Sequence, residues 1–329
     1  MSMVEEMNLL DMPPEIRMMI IDKMEPADRC RFANCSVLCN IDTKNSRNYM
    51  NMLNITIVGT VKISIAHNNS PSSIDYTMLF ENSSLDGNHI NCVDRNGRLL
   101  WKTKLDTSMN ITLYGGLIFK KLLKKYQHSI KTLSITANFG NFDFEIHDLS
   151  RLEQLMVYGD IDIRQFLSKI RHPLKTLKIV KADSIADIAE HIIQVSEELI
   201  LPSNLILSNE LFLQLYSRNV LMSIGNLTEI DIYTFINSWQ HGTLGKRVEK
   251  YVWVLKSSNF DIRKLVELLG VPDHDLSKED LEIQHYTDVG KMAKLVCCFF
   301  EDALQNEVLE FREEINYDNS VGIIDNNMN

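Results

Sequence analysis

The chain has 329 residues, of which 45% are hydrophobic and 24% are charged, the composition of a globular protein with room for one large domain or two to three small ones. Its 34 Lys and Arg and 44 Asp and Glu residues leave a net charge of −10, and an acidic chain without a basic stripe is a poor binder of nucleic acid. No stretch approaches the ~18 apolar residues of a membrane helix, and no secretory signal is evident. We therefore expect no nucleic-acid or membrane partner and a cytoplasmic location, a nuclear one, or both.

The sequence carries no motif that indicates catalysis or a cofactor. The patterns of phosphate-binding loops, dinucleotide-binding loops, nucleophile elbows and zinc proteases are missing from it. Cys30, Cys35 and Cys39 fall in a predicted helical segment with no nearby histidine, so they do not make up the Cys/His set of a zinc site. We therefore predict no catalytic residue, no cofactor and no metal, and reduced, packed thiols. The one basic cluster, at positions 120–125, has the spacing of a solvated helix face.

Residues 8–40 predict two short helices. Asp11 and Pro13 suit the start of the first, and apolar residues then recur at helical spacing until Pro26. The second helix is predicted from Pro26 to about Cys35, with Phe32 on its apolar face. Two helices this short cannot bury enough surface by themselves, so they need a partner or a third helix. A helical hairpin packed on the main domain is the alternative that periodicity alone leaves open.

The particular residues of this segment resemble an F-box. The resemblance runs through Leu9-Leu10-x-Met12-Pro13-x-Glu15-Ile16, followed by Ile20, Met24, Asp28 and Phe32. Met12 and Cys30 depart from the usual leucine and aliphatic residue, and the end of the segment is similar to the variant of nematode F-box proteins. The resemblance implies that the helices bind a Skp-family adaptor, which connects the chain to a cullin. The adaptor-binding residues that it implies are Leu10, Pro13, Glu15, Ile16, Ile20, Met24 and Phe32.

A regular repeat runs through the middle of the chain. The unit apolar-x-x-apolar-x-apolar has its second anchor at Leu133, Leu155 and Leu177, and Leu199 continues the series. A strand and a helix in every ~22 residues is the geometry of leucine-rich repeats. We therefore predict an α/β fold built as an irregular solenoid of that kind, with these leucines buried on neighbouring parallel strands. A conventional parallel α/β sheet, buried on both faces, is the alternative.

The same period predicts further elements. Strands are expected at 111–113, one period before the first anchor, and, after an insertion, at 227–232 and 248–253. Helices are expected between the strands, over 117–126, 163–170, 184–195 and 210–216.

The flanking regions predict hairpins and a helix. Residues 55–65 alternate around Val58-Gly59-Thr60, and Asn96-Gly97 is a strong turn signal between 90–92 and 99–101. Residues 66–89 have the composition of a loop, residues 261–269 that of a helix, and 281–315 favours a strand hairpin over a helix. The predicted organisation is an F-box at 1–45, a leucine-rich-repeat-like F-box-associated domain at 46–255, its C-terminal helix and hairpin at 256–315, and a disordered tail at 316–329.

A second resemblance concerns this larger domain. The segment Phe235-Ile-Asn-Ser-Trp239-Gln-His-Gly242 resembles a landmark of the nematode F-box-associated domain, although Trp239 itself is expected in the core. Both resemblances imply a non-catalytic substrate-recognition subunit of a Skp–cullin–F-box ubiquitin ligase, with an unknown protein as substrate. An F-box-containing scaffold that binds partners without promoting ubiquitination is the alternative, and an enzyme on a horseshoe scaffold is a third.

The strand pattern also predicts where a substrate binds. Strand residues that alternate with the buried anchors point away from the core, and several of them are apolar or aromatic. The substrate-binding residues predicted in this way are Gln154, Met156, Tyr158, Lys178, Val180, Asp231 and Tyr233.

Overall fold

The structure is a computed structural model. It describes residues 12–24, 28, 32, 35, 50–66, 74–83, 87–137, 143–180, 188–202, 205, 207–224, 226–244, 248–255, 260–270, 280–286, 292–299 and 307–314. Leu10, most of the predicted second helix and the predicted tail lie outside these residues. The chain divides into two compact units, residues 1–172 and 173–329, and each is described by itself.

The first unit contains an N-terminal helix and a sheet with helices beside it. Its described helices are α1 (Pro14–Lys23), α2 (Ile111–Tyr126) and α3 (Arg164–Leu167). Its described strands are β1 (Met52–Val58), β2 (Thr60–Ala66), β3 (Tyr76–Ser83), β4 (Gly87–Asp94), β5 (Leu99–Lys104), β6 (Thr132–Thr136) and β7 (Gln154–Tyr158). Their order in the sheet is β7-β6-β1-β2-β3-β4-β5.

Both predicted hairpins of this unit are confirmed. β1 and β2 pair antiparallel around Gly59, whose φ of 73° is strained for residues other than glycine. β4 and β5 meet around Gly97, and there the Asp94 carboxylate accepts hydrogen bonds from the Asn96 and Arg98 backbone N–H groups, both at 2.9 Å. These turns explain why the N-terminal side of the sheet is antiparallel.

The predicted repeat register is confirmed between β6 and β7. β1, β6 and β7 are parallel, and Leu53, Leu133 and Leu155 are neighbours across them. All three side chains are fully buried. Because the coil from β6 to β7 is one repeat period long, anchors that recur in the sequence become neighbours in the core.

Helix α2 covers the buried face of this sheet. The Asn110 side chain caps its first turn by accepting the Leu113 backbone N–H at 3.0 Å. Gly115 lies against Val61 of β2, and a Cβ atom at position 115 would overlap the Val61 methyl group. Further along, Phe119 packs edge-on against Phe144 with ring centroids 5.9 Å apart. Glycine thus lets the helix approach the sheet, and the aromatic pair fills the space beyond it.

Two predictions for this unit are wrong. Ile111 and Leu113 do not form a strand but begin α2, because an apolar-x-apolar triplet also fits the first turn of a capped helix. Residues 66–89 are not one loop, since they contain β3, whose Met78 and Phe80 are buried. The Asn- and Ser-rich stretches on either side of β3 concealed this short strand.

The second unit also combines parallel strands with an antiparallel end. Its described helices are α4 (Ala189–Ile193), α5 (Asn209–Gln214), α6 (Glu229–Gln240) and α7 (Ile262–Leu268). Its described strands are β8 (Thr176–Ile179), β9 (Glu198–Ile200), β10 (Asn219–Ser223), β11 (Lys250–Leu255), β12 (Asp280–Tyr286), β13 (Met292–Phe299) and β14 (Glu307–Glu314). The order of the strands is β8-β9-β10-β11-β14-β13-β12.

A buried ladder crosses the parallel strands of this unit. Leu177, Leu199, Val220 and Tyr251 are successive neighbours on β8, β9, β10 and β11. Tyr251 also pairs with Phe311 on β14, which runs antiparallel to β11. Tyr251 and Phe311 also belong to an aromatic core in which neighbouring ring centroids are 4.6 to 6.2 Å apart. Its other members are Phe212, Phe235, Trp239 and Trp253. The expected core position of Trp239 is confirmed, since Trp239 is only 5% exposed.

The strand predicted at 227–232 is wrong, and a different strand takes its place. Residues 229–240 form helix α6, and the strand beside β9 is β10, whose Val220 pairs with Leu199. The continuous apolar run at 220–222 did not match the spaced repeat pattern, whereas 227–232 matched it by coincidence. The predicted helix after Asp261 and the strand hairpin at the C-terminal side are confirmed as α7 and the β12–β13 pair.

Candidate functional site

Helix α1 has one face turned into the protein and one turned to solvent. Pro13 and Pro14 lie at its start, where their missing N–H groups cost no helical hydrogen bond. On the inner face Ile21 is fully buried, and Arg17 is buried with its guanidinium 2.6 Å from the Met12 carbonyl oxygen. On the outer face Ile16 is 43% exposed and Met19 is 65% exposed. An aliphatic and a thioether side chain, one turn apart and open to water, are suited to a protein partner.

The predicted adaptor-binding residues fall into three groups. Pro13, Glu15 and Ile16 are exposed. Ile20, Met24 and Phe32 are half-buried, and Leu10 lies outside the described residues. Met19 was not among the predicted residues although it is the most exposed apolar side chain of α1, and its position three residues after Ile16 was the signal that could have identified it.

The predicted substrate-binding residues of the first unit lie on the sheet face opposite to α2. Gln154, Met156 and Tyr158 alternate along β7 with the buried Leu155 and Val157. All three are half-buried, and their neighbours on β6 are threonines and a serine. The alternation predicted for this strand is confirmed, so these side chains form one row on a polar surface.

In the second unit, the corresponding face carries an apolar row between ion pairs. Ile200, Leu221 and Val252 are neighbours across β9, β10 and β11, and Leu221 is 36% exposed. This outer row, the Leu221 row, ends on β8 at the predicted Lys178, which is the neighbour of Ile200. The predicted Val180, just after β8, is 51% exposed. The predicted Lys178 is half-buried on the same face.

Ion pairs border the Leu221 row on both sides. The Lys178 ammonium lies 2.7 Å from the Glu198 carboxylate, and the Lys250 ammonium lies 2.8 Å from the Glu310 carboxylate. These pairs keep the charged groups in place beside the aliphatic side chains. An apolar centre with a polar border is the composition of a protein-binding surface.

Asp231 and Tyr233 do not belong to either face. Both lie on α6, and Asp231 is buried, where its carboxylate accepts hydrogen bonds from the Thr228 backbone N–H at 2.7 Å and the Thr228 hydroxyl at 2.9 Å. Asp231 therefore stabilises the start of a helix. Because the helix replaces the predicted strand, the strand alternation assigned to these two residues was wrong: Asp231 is buried, whereas Tyr233 is half-buried.

Two other kinds of site are absent from the described part of the chain. It contains no group of three His, Cys, Asp or Glu residues arranged to hold a metal ion. None of its helices is long and apolar enough to cross a membrane.

The part of the chain that contains α1 matches a known domain family. Residues 9–41 match the F-box domain family, and this range contains α1 with Ile16 and Met19. No curated protein and no solved structure matches the chain. The chain is thus a mixed α/β protein that carries an F-box at its N-terminal side. This match indicates a role in binding a Skp-type adaptor of a ubiquitin ligase.

Proposed function

We propose that this chain is the substrate-recognition subunit of a Skp–cullin–F-box ubiquitin ligase. In this proposal α1 binds the adaptor, the adaptor connects the chain to a cullin, and the sheet faces bind a protein substrate. The chain itself is non-catalytic and contributes by holding the substrate near the ubiquitin-transferring subunits, which is a proximity effect.

One observation carries the proposal: the F-box match coincides with a helix whose apolar side chains are open to solvent. Ile16 and Met19 are exposed although Ile21, on the same helix, is fully buried. The buried face is already used within the chain, so the exposed face is available to the adaptor. Truncation of central aliphatic anchors commonly costs several kcal/mol of binding, about 2–4 in strong cases.

The Leu221 row supports the assignment of a substrate surface. Its three aliphatic side chains lie side by side on parallel strands, between the Lys178–Glu198 and Lys250–Glu310 ion pairs. Met156 and Tyr158 on β7 are the candidates of the first unit. The in-register ladders of parallel strands support the further proposal that each unit, taken by itself, contains coils of an irregular leucine-rich-repeat-like solenoid.

The adaptor assignment is tested with Ile16→Ala combined with Ile20→Ala. We expect the double variant to bind a Skp-family adaptor about a hundredfold more weakly, because it removes two neighbouring anchors of the interface. The affinity is measured by titration calorimetry with the full chain. Ile230→Ala combined with Ile262→Ala is the matched control, since it also truncates one exposed and one half-buried isoleucine, in the second unit. Equal adaptor affinities for the wild type and the Ile16/Ile20 variant would refute the assignment.

Turnover distinguishes a ligase subunit from a scaffold. Proteins captured by a chain that lacks residues 1–45 are identified, and their half-lives are compared in cells that contain the full chain or the shortened one. Longer half-lives with the shortened chain support a substrate receptor. Unchanged half-lives of captured proteins would favour the scaffold.

A further inference from the structure

Helix α2 presents two leucines to solvent on the side away from the sheet. Its inner side is formed by Gly115, Phe119 and Leu123, which are buried. On the opposite side Leu113 is 57% exposed and Leu117 is 42% exposed. Because residues four apart lie on the same helix face, the two leucines form one apolar patch.

Lysines continue this face through the next two turns of α2. Lys121 and Lys124 follow the leucines at helical spacing, and both are exposed, as is Lys125 beside them. Lys125 has its ammonium 4.8 Å from the centroid of the Tyr126 ring. We call Leu113, Leu117, Lys121, Lys124 and Lys125 the α2 surface.

The carboxylate of Glu145 approaches this cluster. It lies 2.7 Å from the Lys120 ammonium and 2.9 Å from the Lys124 ammonium. Hydrogen bonds from Lys120 and Lys124, together with the charges of these lysines, lower the pKa of Glu145 from 4.5 to about 2. Glu145 also has a φ of 53°, a left-handed conformation that is uncommon for residues with a side chain. The loop thus places its carboxylate between two lysines.

The α2 surface is positive although the whole chain is acidic. The chain has a net charge of −10, while residues 120–125 carry four ammonium groups, two of which form ion pairs with Glu145. Within the described residues Lys121 forms no ion pair. An excess of positive charge beside two exposed leucines complements a partner that is both negative and apolar.

We propose that the α2 surface binds an acidic amphipathic helix of a partner protein. The 16 residues of α2 give a ridge of about 24 Å, enough for several turns of a second helix. Aliphatic side chains of the partner would contact Leu113 and Leu117, and its glutamates or aspartates would contact the lysines of the following turns. This inference is independent of the proposed function, because α2 lies outside the F-box and on the sheet side opposite to Tyr158.

The observations favour a protein over other anionic partners. A membrane-binding helix usually inserts a continuous apolar face, whereas here the leucines occupy only the first half of α2 and the inner side is held by the sheet. Single-stranded nucleic acid would need exposed aromatic rings for its bases, and Tyr126, the aromatic residue beside the lysines, is buried.

The test uses a synthetic helical peptide of about 18 residues, with leucines along one face and glutamates on its flanks. The full-length protein is titrated into the labelled peptide, and fluorescence anisotropy is recorded. One comparison peptide has serine in place of leucine, and another has lysine in place of glutamate. We expect the parent peptide to bind at least about tenfold more tightly than either comparison peptide, and its binding to weaken as salt increases.

Variants of the chain locate the binding. Leu113→Ser with Leu117→Ser, and separately Lys121→Glu with Lys125→Glu, are each expected to weaken binding by about tenfold or more. Lys104→Glu is the control, since it reverses an exposed charge on the opposite face of the sheet, and it should leave the affinity unchanged. Circular dichroism verifies that each variant folds.

Three results would overturn the proposal. In the first, the serine peptide binds as tightly as the parent peptide, so charge alone explains the binding. In the second, Lys104→Glu weakens binding as much as the α2 variants do. In the third, phosphatidylserine vesicles or single-stranded DNA bind more tightly than the parent peptide and lose affinity with Leu113→Ser and Leu117→Ser.

Discussion

At the scale of single residues, Glu145 shows how a side chain on the surface is held by its neighbours. Its carboxylate bridges Lys120 and Lys124 on adjacent turns of α2, while its own backbone N–H donates to the Asp143 carboxylate at 2.8 Å. The loop conformation and the ion pairs therefore depend on each other. Sequence spacing identified the lysines as one helix face, but it held no sign of the carboxylate that meets them.

We predict that Glu145 titrates with a pKa of about 2. Because this value is below the ordinary 4.5, the ionised carboxylate stabilises the fold above pH 4.5, and this contribution is lost as the pH falls towards 2. The titration is followed by NMR of the carboxyl carbon. In a Lys120→Gln, Lys124→Gln variant the midpoint should return towards 4.5, and an unchanged midpoint would contradict the role of the two lysines.

At the scale of elements, a buried glutamate joins two helices of the second unit. Glu229, at the start of α6, is 4% exposed. Its carboxylate accepts the Asp261 backbone N–H at 2.6 Å and the Lys264 ammonium at 3.2 Å, both at the start of α7. Burial alone would raise the pKa of Glu229, but these hydrogen bonds and the Lys264 charge lower it below the usual value.

Replacement of Glu229 by Gln should destabilise the protein by about 2 kcal/mol at pH 7, because hydrogen bonds to a buried charged group are lost or weakened. A lowered pKa means that this stabilisation is complete above pH 4.5 and declines as the pH falls below it. Urea unfolding at pH 7 and pH 4 should therefore show a smaller difference between variant and wild type at the lower pH. Glu267→Gln, an exposed change on α7, is the control and should have little effect at either pH.

At the scale of the whole molecule, buried and outward side chains alternate along parallel strands of each unit. In the first unit Leu155 and Val157 are fully buried, whereas Met156 and Tyr158 between and after them are half-buried. In the second unit Leu199 and Val220 are buried beside the outward Ile200 and Leu221. The side chains that form the core are therefore distinct from the outward side chains to which we assign substrate binding.

We predict that Met156→Ser combined with Tyr158→Ala weakens capture of the substrate while thermal stability and adaptor binding remain almost unchanged. Leu155→Ala on the same strand should instead destabilise the protein by about 2–5 kcal/mol, because it leaves a cavity in the core. Thermal unfolding and co-purification of bound proteins measure the two effects. If the double variant unfolds, these side chains belong to the core, and if it captures substrate normally, recognition lies elsewhere, with the Leu221 row as the next surface to test.

The local sequence pattern by itself determined a large part of the fold of this protein. The sequence correctly predicted the F-box, the two glycine turns of the hairpins and the register of the leucines from 133 to 155. Each of these features depends on neighbours in sequence or on a repeated spacing. The C-terminal helix and strand pair were predicted for the same reason. These features set the class of fold and the region that meets an adaptor.

Only the tertiary structure decided the remaining points. Residues 111–113 and 227–232 fit a strand pattern but start helices, since capping by Asn110 and the Thr228–Asp231 hydrogen bonds, together with packing on the sheet, favour the helix. The sequence also did not show which apolar side chains are exposed. In α1, Ile21 is buried and Met19 is exposed, although both are apolar. Which apolar side chains remain available to partners depends on what the distant parts of the chain already cover, and a local pattern does not contain that information.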